Sequence, residues 1–212
     1  MDEALARRGV VHGCPPVRRA TATEFRNAVL AAKRVNPNSW MVDAHSVSDY
    51  RKNYKMFLTT DGKAGIAVHK RTGNVVSVFN GSGKKGENRM AKLIPVAIAA
   101  GGRRLDFFAA GLHNMYGRHG GQMTGRVAFN REFAPDGWKA GMVEPDVAMM
   151  TLPTSLREWE KAYDGSRRVE VTAAKLYGSW DDMDAATEKA LAERAKREGM
   201  GRSIAAAQGS GR

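Results

Sequence analysis

A loop rich in glycine and lysine is the segment whose composition points most directly to ligand chemistry. It follows a strand-like run that ends at Phe79, and it contains Gly81, Gly83, Lys84, Lys85 and Gly86. The glycines let the backbone approach a phosphate, and the lysines and Arg89 supply positive charge. A helix predicted directly after the loop would direct the positive end of its dipole there. The loop therefore indicates an anion site, with an ordinary surface connection as the alternative.

No comparable spacing of residues points to metal binding or to thiol catalysis. His113 and His119 are six residues apart, which places them on different faces of a helix and argues against joint metal ligation. We expect each to be solvent-exposed or close to a phosphate. The single cysteine, Cys14, allows neither a thiolate zinc cluster nor an intramolecular disulfide, and no base accompanies it. No metal cofactor is expected.

Length and cysteine content bound the class of protein. The chain has 212 residues, which favours one domain with appendages. One cysteine is typical of a reducing compartment. The apolar run Leu93 to Ala100 is far shorter than a membrane-spanning helix, and the N-terminus lacks the apolar region of a secretory signal. We therefore expect a soluble cytoplasmic protein with no membrane partner.

The charge of the chain favours anionic partners. Lys and Arg total 34 against 22 Asp and Glu, a net charge of +12. Nucleic acid, coenzyme phosphates and acidic proteins would all be attracted, although GC-rich coding is an alternative source of the arginine excess. The basic stretch from Lys189 to Arg202 is either a solvated helix face or an anchor for nucleic acid.

The first half of the chain predicts two helices and a three-stranded meander. A strand at Val17–Ala20 leads into a helix that begins after Thr21 or Thr23 and ends near Val35. Ser46 and Asp49 resemble a cap for a short helix to Asn53. Three strands are then predicted, at Met56–Thr60, Gly65–His69 and Asn74–Phe79. Asp61-Gly62 predicts a type I′ turn between the first two.

The second half alternates helices and strands before the pattern weakens. Helical spacing of Met90, Leu93, Ile94, Ala97 and Ile98 predicts a helix in which Pro95 lies in the first turn or causes a kink. The further predictions are a strand Arg104–Phe108, a helix Gly111–His119, strands Gln122–Asn130 and Asp146–Leu152, and helices Thr154–Tyr163 and Asp181–Glu198. We expect Trp138 to hold the intervening loop on the core.

This order of elements resembles the GNAT acetyltransferases across Val17 to Leu152. Tyr116 to Gly120 looks like the family's Tyr-x-x-x-Gly segment, and Val17 to Thr21 looks like its opening strand. Two positions depart from the family. The loop does not match R/Q-x-x-G-x-G/A, because Gly81 and Lys84 occupy its first and fourth positions, and Gly121 stands where many members carry Phe.

The resemblance implies an α/β fold with a central mixed, mostly antiparallel sheet flanked by helices and followed by a C-terminal helical extension. We divide the chain into a flexible lead-in at residues 1–16, the acetyltransferase domain at 17–152, a helical extension at 153–198 and a disordered basic tail at 199–212.

The resemblance also implies an N-acetyltransferase that uses acetyl-CoA as co-substrate and transfers its acetyl group to an amine in a ternary complex. The coenzyme would be bound by Phe79, Gly81, Gly83, Lys84, Lys85, Gly86 and Arg89. Tyr116 would protonate the departing thiolate, unless it is a core tyrosine, and Asp106 would order a water or act as base, unless it caps the next helix or hydrogen-bonds a nearby loop. The amine is not identified, and the basic surface suits acidic acceptors.

A second hypothesis is a catalytically silent GNAT-like module. Leu105 to Phe108 and Pro135 to Trp138 resemble segments of GNAT-like proteins from phages and mobile elements. Such a module would bind nucleic acid, or a virion or other partner protein, through its basic C-terminal segment.

Overall fold

The computed structural model describes residues 14–36, 38–83 and 89–209. The chain is a mixed α/β protein. Its strands are β1 Val17–Arg19, β2 Tyr54–Thr59, β3 Ala64–His69, β4 Val75–Asn80, β5 Arg104–Phe108, β6 Gln122–Val127, β7 Val147–Thr151 and β8 Leu176–Tyr177. Its α-helices are α1 Ala22–Val35, α2 Val47–Asn53, α3 Met90–Ala99, α4 Leu112–Arg118, α5 Leu156–Ala162 and α6 Trp180–Gly209, with 3-10 turns at Ser39–Met41 and Arg131–Phe133. None of these helices is long and apolar enough to cross a membrane.

Two four-stranded sheets form the centre of the molecule. The first has the order β1-β2-β3-β4 and is antiparallel throughout. The second has the order β5-β7-β6-β8, in which β8 is parallel to β6 and the other pairs are antiparallel. One parallel bridge, between Asn74 and Arg104, joins the end of the first sheet to the start of the second. Where one central mixed, mostly antiparallel sheet was predicted, the strands therefore form one antiparallel and one mixed sheet, both flanked by helices.

Helices α1 and α2 begin at the predicted caps. Thr21 forms a full capping box with Glu24, and the Ser46 hydroxyl accepts the N–H of Asp49. Both helices pack on one face of the first sheet, where the buried core includes Phe25, Val29, Tyr50, Met56, Leu58 and Phe79. Helix α3 covers the opposite face with Leu93, Ile94 and Ile98. Two apolar layers thus enclose the sheet.

Helix α6 is held firmly on the second sheet, which differs from the weak packing that its alanine-rich face suggests. Arg194 is 3% exposed, and its guanidinium donates to the Thr151 hydroxyl and to the Gly120 carbonyl. It also forms an ion pair with Glu158 of α5. Met183 is fully buried. Long polar side chains, rather than a wide apolar stripe, bind this helix to the domain.

Several element boundaries differ from the predicted ones. The turn at Asp61-Gly62 is not type I′, because only Gly62 has a positive φ, +69°. The Asp61 side chain accounts for the difference, since its carboxylate accepts the N–H of Lys63 and so favours another turn. Pro95 lies inside α3 and not in its first turn. Strand β6 ends at Val127, and α6 continues past Glu198 to Gly209.

Candidate functional site

A cleft opens where β4 and β5 diverge. Each is an edge strand of its sheet, and beyond the Asn74–Arg104 bridge they are not paired with one another. Their facing backbone groups therefore border a cleft of about 480 Å³ instead of a continuous ladder. Side chains of α1, α4 and the segment between α1 and α2 complete its walls. The cleft lies between the two sheets.

A β-bulge shapes the β4 wall of the cleft. Gly65 pairs with Phe79 but Ala67 pairs with Val76, so β4 has an additional residue here. Ser77 within the bulge has φ +49°, a conformation that costs a non-glycine residue about 1–2 kcal/mol. Bulges bend a strand and redirect its backbone groups, and this bulge lies in the part of β4 that lines the cleft.

A chain of hydrogen bonds holds this bulge in place. The Ser77 hydroxyl donates to the Asp43 carbonyl at 2.9 Å and is 2.7 Å from the Tyr50 hydroxyl. The Tyr50 hydroxyl accepts the N–H of His45 at 3.3 Å. Tyr50 is fully buried, and this burial raises the pKa of its phenol. The strained strand and the segment before α2 are therefore connected through neutral groups.

Asp106 lies in the middle of β5 and lines the cleft. Its carboxylate accepts a long hydrogen bond, 3.5 Å, from the Asn74 amide. Burial raises the pKa of Asp106, the Asn74 hydrogen bond opposes that effect, and the nearby Asp43 carboxylate adds to it. Asp106 does not cap α4: the cap residue is Gly111, which has no side-chain cap bond. The carboxyl is thus suited to accept a proton.

Tyr116 lines the same cleft from α4. It is 2% exposed, and its ring packs on Phe107 with 5.2 Å between the centroids. Burial raises the pKa of Tyr116, and the negative charge of Asp106 raises it further. Within the described residues no side chain is hydrogen-bonded to its hydroxyl. The phenol therefore keeps its proton in a site that it shares with Asp106.

The glycine- and lysine-rich loop is described only in part, because Lys84, Lys85 and Gly86 lie outside the described residues. Gly81 donates its N–H to the Lys63 carbonyl, and a Cβ here would be 3.0 Å from the Ala32 Cβ. Close packing against α1 thus explains this glycine. Gly83 has φ +66° with open space around it. Phe79 is buried and lines the cleft.

Arg89 is directed into the protein and not toward a ligand. It is 3% exposed, and its guanidinium lies 2.7 Å from both carboxylate oxygens of Asp61. Burial tends to raise the pKa of Asp61, but hydrogen bonds from Thr59, Arg89 and Lys63 outweigh it and lower this pKa to about 2. We therefore revise the role of Arg89 from phosphate ligand to anchor of the loop before α3.

His119 is also placed differently from its prediction. It is 1% exposed, and its Nδ1 accepts the Trp159 indole N–H at 3.1 Å. Burial, with a smaller effect of Arg118, lowers the pKa of His119 to about 3. His119 is therefore neutral and structural. His113 is half-buried, with an Nδ1 that has no hydrogen-bond partner among the described residues.

An aromatic ladder extends from the cleft to the β6–β7 loop. Trp40 packs on Phe108 at 5.2 Å, Phe108 contacts Phe129 at 6.0 Å, and Phe129 contacts Trp138 at 5.3 Å. The Trp138 indole N–H donates to the Val143 carbonyl. The expected role of Trp138 in holding this loop is thus confirmed.

The polar residues of the cleft that were missed from sequence include Asp43, His45, Asn74 and Ser77. Ser77 had a visible signal, because it is the polar residue in the run Val75-Val76-Ser77-Val78-Phe79. Asp43 and His45 lie in a connection between helices, and their position at the cleft depends on how that connection folds back over β4.

Comparison of the chain with known proteins finds no counterpart: no family model matches, and neither a curated protein nor a solved structure is similar to it. The functional argument therefore rests on the cleft itself.

Proposed function

We propose that the protein is a GNAT-type N-acetyltransferase that uses acetyl-CoA as co-substrate and acetylates an amine. The observation that carries the proposal is the gap between β4 and β5. In an otherwise hydrogen-bonded fold, two facing edge strands leave polar backbone groups available to an extended ligand, as in strand addition. The element order that led to this resemblance is supported by strands β1–β7 and helices α1–α4.

The residues around the gap suit a thioester with a long, partly apolar arm. Phe79, Met90 and Met115 give apolar walls, and β4 supplies backbone N–H groups that would polarise an acyl carbonyl. Helix α3 begins next to the glycine- and lysine-rich loop, where its dipole would favour phosphate. Lys84 and Lys85 remain the predicted phosphate ligands. Acetyl-CoA would supply the activated acetyl group.

Two side chains of the cleft have complementary protonation. The Tyr116 phenol keeps its proton because burial raises its pKa, and it would donate this proton to the thiolate that leaves. Asp106 is ready to accept the proton that the amine loses. Their common cleft allows both transfers to occur around one reacting centre. A catalytically silent module would not need a proton donor and a proton acceptor in the same cleft.

Calorimetric titration with acetyl-CoA tests the proposal. We expect binding by the wild type and a loss of about tenfold or more when Lys84 and Lys85 are both changed to alanine, because two charge-assisted contacts are removed. The double variant Lys52→Ala with Arg71→Ala is the matched control, since both residues are exposed and outside the cleft. No binding by the wild type would refute the coenzyme site.

The silent module stays as the second candidate because of the internal partners of Gly81 and Arg89, which reduce the groups available for phosphate. It would act through charge, so its affinity for nucleic acid should fall steeply with salt. The predicted basic stretch from Lys189 to Arg202 contains five basic residues and two acidic ones, and one of the five, Arg194, is buried in an ion pair with Glu158. Salt-insensitive binding would exclude this candidate.

A further inference from the structure

Two carboxylates line the cleft, although the whole chain is basic. Asp43 and Asp106 both line it, and neither carboxylate forms an ion pair within the described residues. The nearest cation on β5, Arg104, is already paired with Asp184 and Glu188 of α6. Lys33 directs its amino group to the Val42 carbonyl at 2.6 Å. Among the described residues no cation therefore forms an ion pair with either carboxylate, and Arg104 acts on Asp106 only through its more distant charge.

Their proximity carries an electrostatic cost that a ligand can remove. Burial is the main cause of the raised pKa of Asp106, and the charge of the nearby Asp43 carboxylate adds to it, whereas the Arg104 charge opposes it. Like charges at short range destabilise one another, and a cation placed between them is favoured. Asp106 is partly withdrawn from water, which strengthens this effect.

Rings border the same end of the cleft. His45 is stacked on Tyr54 with 5.0 Å between centroids, and both line the cleft. Phe108 follows Asp106 by two residues on β5, so the two side chains point to the same face of the sheet. Aromatic faces attract organic cations and also accept apolar groups. The end of the cleft therefore combines negative charge with apolar walls.

We propose that the acceptor is a primary amine that enters this end of the cleft as an ammonium ion, carried on an apolar or aromatic body without a carboxylate. The ammonium would lie between Asp43 and Asp106, and the body would contact His45, Tyr54 and Phe108. An amino acid would bring its own carboxylate against the two that line the cleft. This reverses the expectation of acidic acceptors that the net charge suggested.

The transfer step rests on the proposed function, whereas cation binding does not. The ammonium gives one proton to Asp106 and attacks the thioester carbonyl as the free amine. A C–N bond forms, the C–S bond breaks, and the second amine proton is lost to water while the thiolate takes a proton from Tyr116. Asp106 and Tyr116 then exchange protons with solvent, so that the products are the N-acetyl amine, the free thiol and one released proton.

Binding of three matched probes tests the inference without coenzyme. Phenethylamine, phenylalanine and 2-phenylethanol share the same ring, but only the first presents an ammonium without a carboxylate. We expect phenethylamine to bind at least about tenfold more tightly than the other two. Asp43→Asn should weaken it about tenfold, because it removes a charge but no hydrogen bond of the bulge, which uses the Asp43 backbone carbonyl.

Asp136→Asn is the control variant, because Asp136 is exposed and lies outside the cleft. It should leave the affinity for phenethylamine unchanged. The inference is overturned if phenethylamine does not bind, if phenylalanine binds equally well, or if Asp43→Asn has no effect.

Thiol release from acetyl-CoA separates this inference from the proposed function. If phenethylamine binds through Asp43 but no thiol is released with any amine, the cation site stands and the transferase proposal fails. If thiol is released equally fast with phenylalanine, the transferase stands and the acceptor class is wrong. Faster release with phenethylamine, reduced in Asp43→Asn and not in Asp136→Asn, supports both.

Discussion

Mild acid should destabilise this protein through one buried histidine. In the folded chain, burial lowers the pKa of His119 from its ordinary value of 6.5 to about 3. In the unfolded chain the imidazole titrates normally. Between these two values the unfolded state therefore binds one proton more than the folded state, and the free energy of unfolding falls as the pH falls.

The size of this loss follows from the two pKa values. Acidification from about pH 7 to about pH 5 covers about 1.5 pH units below the unfolded pKa, and each unit contributes about 1.4 kcal/mol. His119 alone should therefore lower the free energy of unfolding by about 2 kcal/mol over this interval. That is a large part of the stability of a typical domain.

Urea unfolding of the wild type and of His119→Asn at both pH values measures the effect. The asparagine side-chain oxygen can accept the Trp159 indole N–H in place of Nδ1, but it does not titrate. The variant will be less stable at neutral pH because a smaller side chain leaves a cavity. Its loss between the two pH values should nevertheless be smaller than that of the wild type by about 2 kcal/mol. An equal loss in both proteins would refute the reasoning.

Three further substitutions test the site and the packing around it. Tyr116→Phe should lower kcat by about 10²–10⁴ with unchanged affinity for acetyl-CoA, because it removes only a proton donor; full turnover in a steady-state assay would rule out this role. Asp61→Asn should lower the free energy of unfolding in urea by about 2–3 kcal/mol, since it removes the carboxylate that the buried Arg89 guanidinium contacts, and an unchanged midpoint would contradict the ion pair. Arg194→Ala should lower it by about 3–5 kcal/mol in the same assay, whereas the exposed Arg197→Ala should change it little; equal effects would mean that α6 is not anchored there.

Local chemistry predicted the first half of the fold well. Thr21 and Ser46 predicted the starts of two helices correctly. A side-chain oxygen at this position accepts a free backbone N–H of the first turn, and this bond does not depend on where the helix packs. The β2–β3–β4 meander followed from apolar alternation and short turns. The type I′ turn was wrong because Asp61 bonds to Lys63 and to the distant Arg89, and a turn type depends on such partners as well as on its own residues.

The candidate site was predictable only where it resembled a known pattern. Tyr116 and Asp106 do lie in one cleft, ten residues apart in sequence and on different elements. The loop residues were judged by composition, which could not reveal that Gly81 packs on Ala32 or that Arg89 pairs with Asp61. Basic residues near glycines have the same sequence signal whether they face a ligand or an internal carboxylate.

The sequence by itself determined the order and type of the α-helices and of strands β1 to β7, but not of β8, because helix caps, apolar periods and turn residues act over a few neighbouring positions. It also determined that the chain carries a large positive charge. Only the tertiary structure decided that β4 and β5 diverge, that two carboxylates line the cleft between them, and that His119 is buried and neutral. Those properties arise from contacts between residues distant in the chain, such as Ser77 with Tyr50 and His119 with Trp159, whose burial and electrostatic environment exist only after the elements have packed.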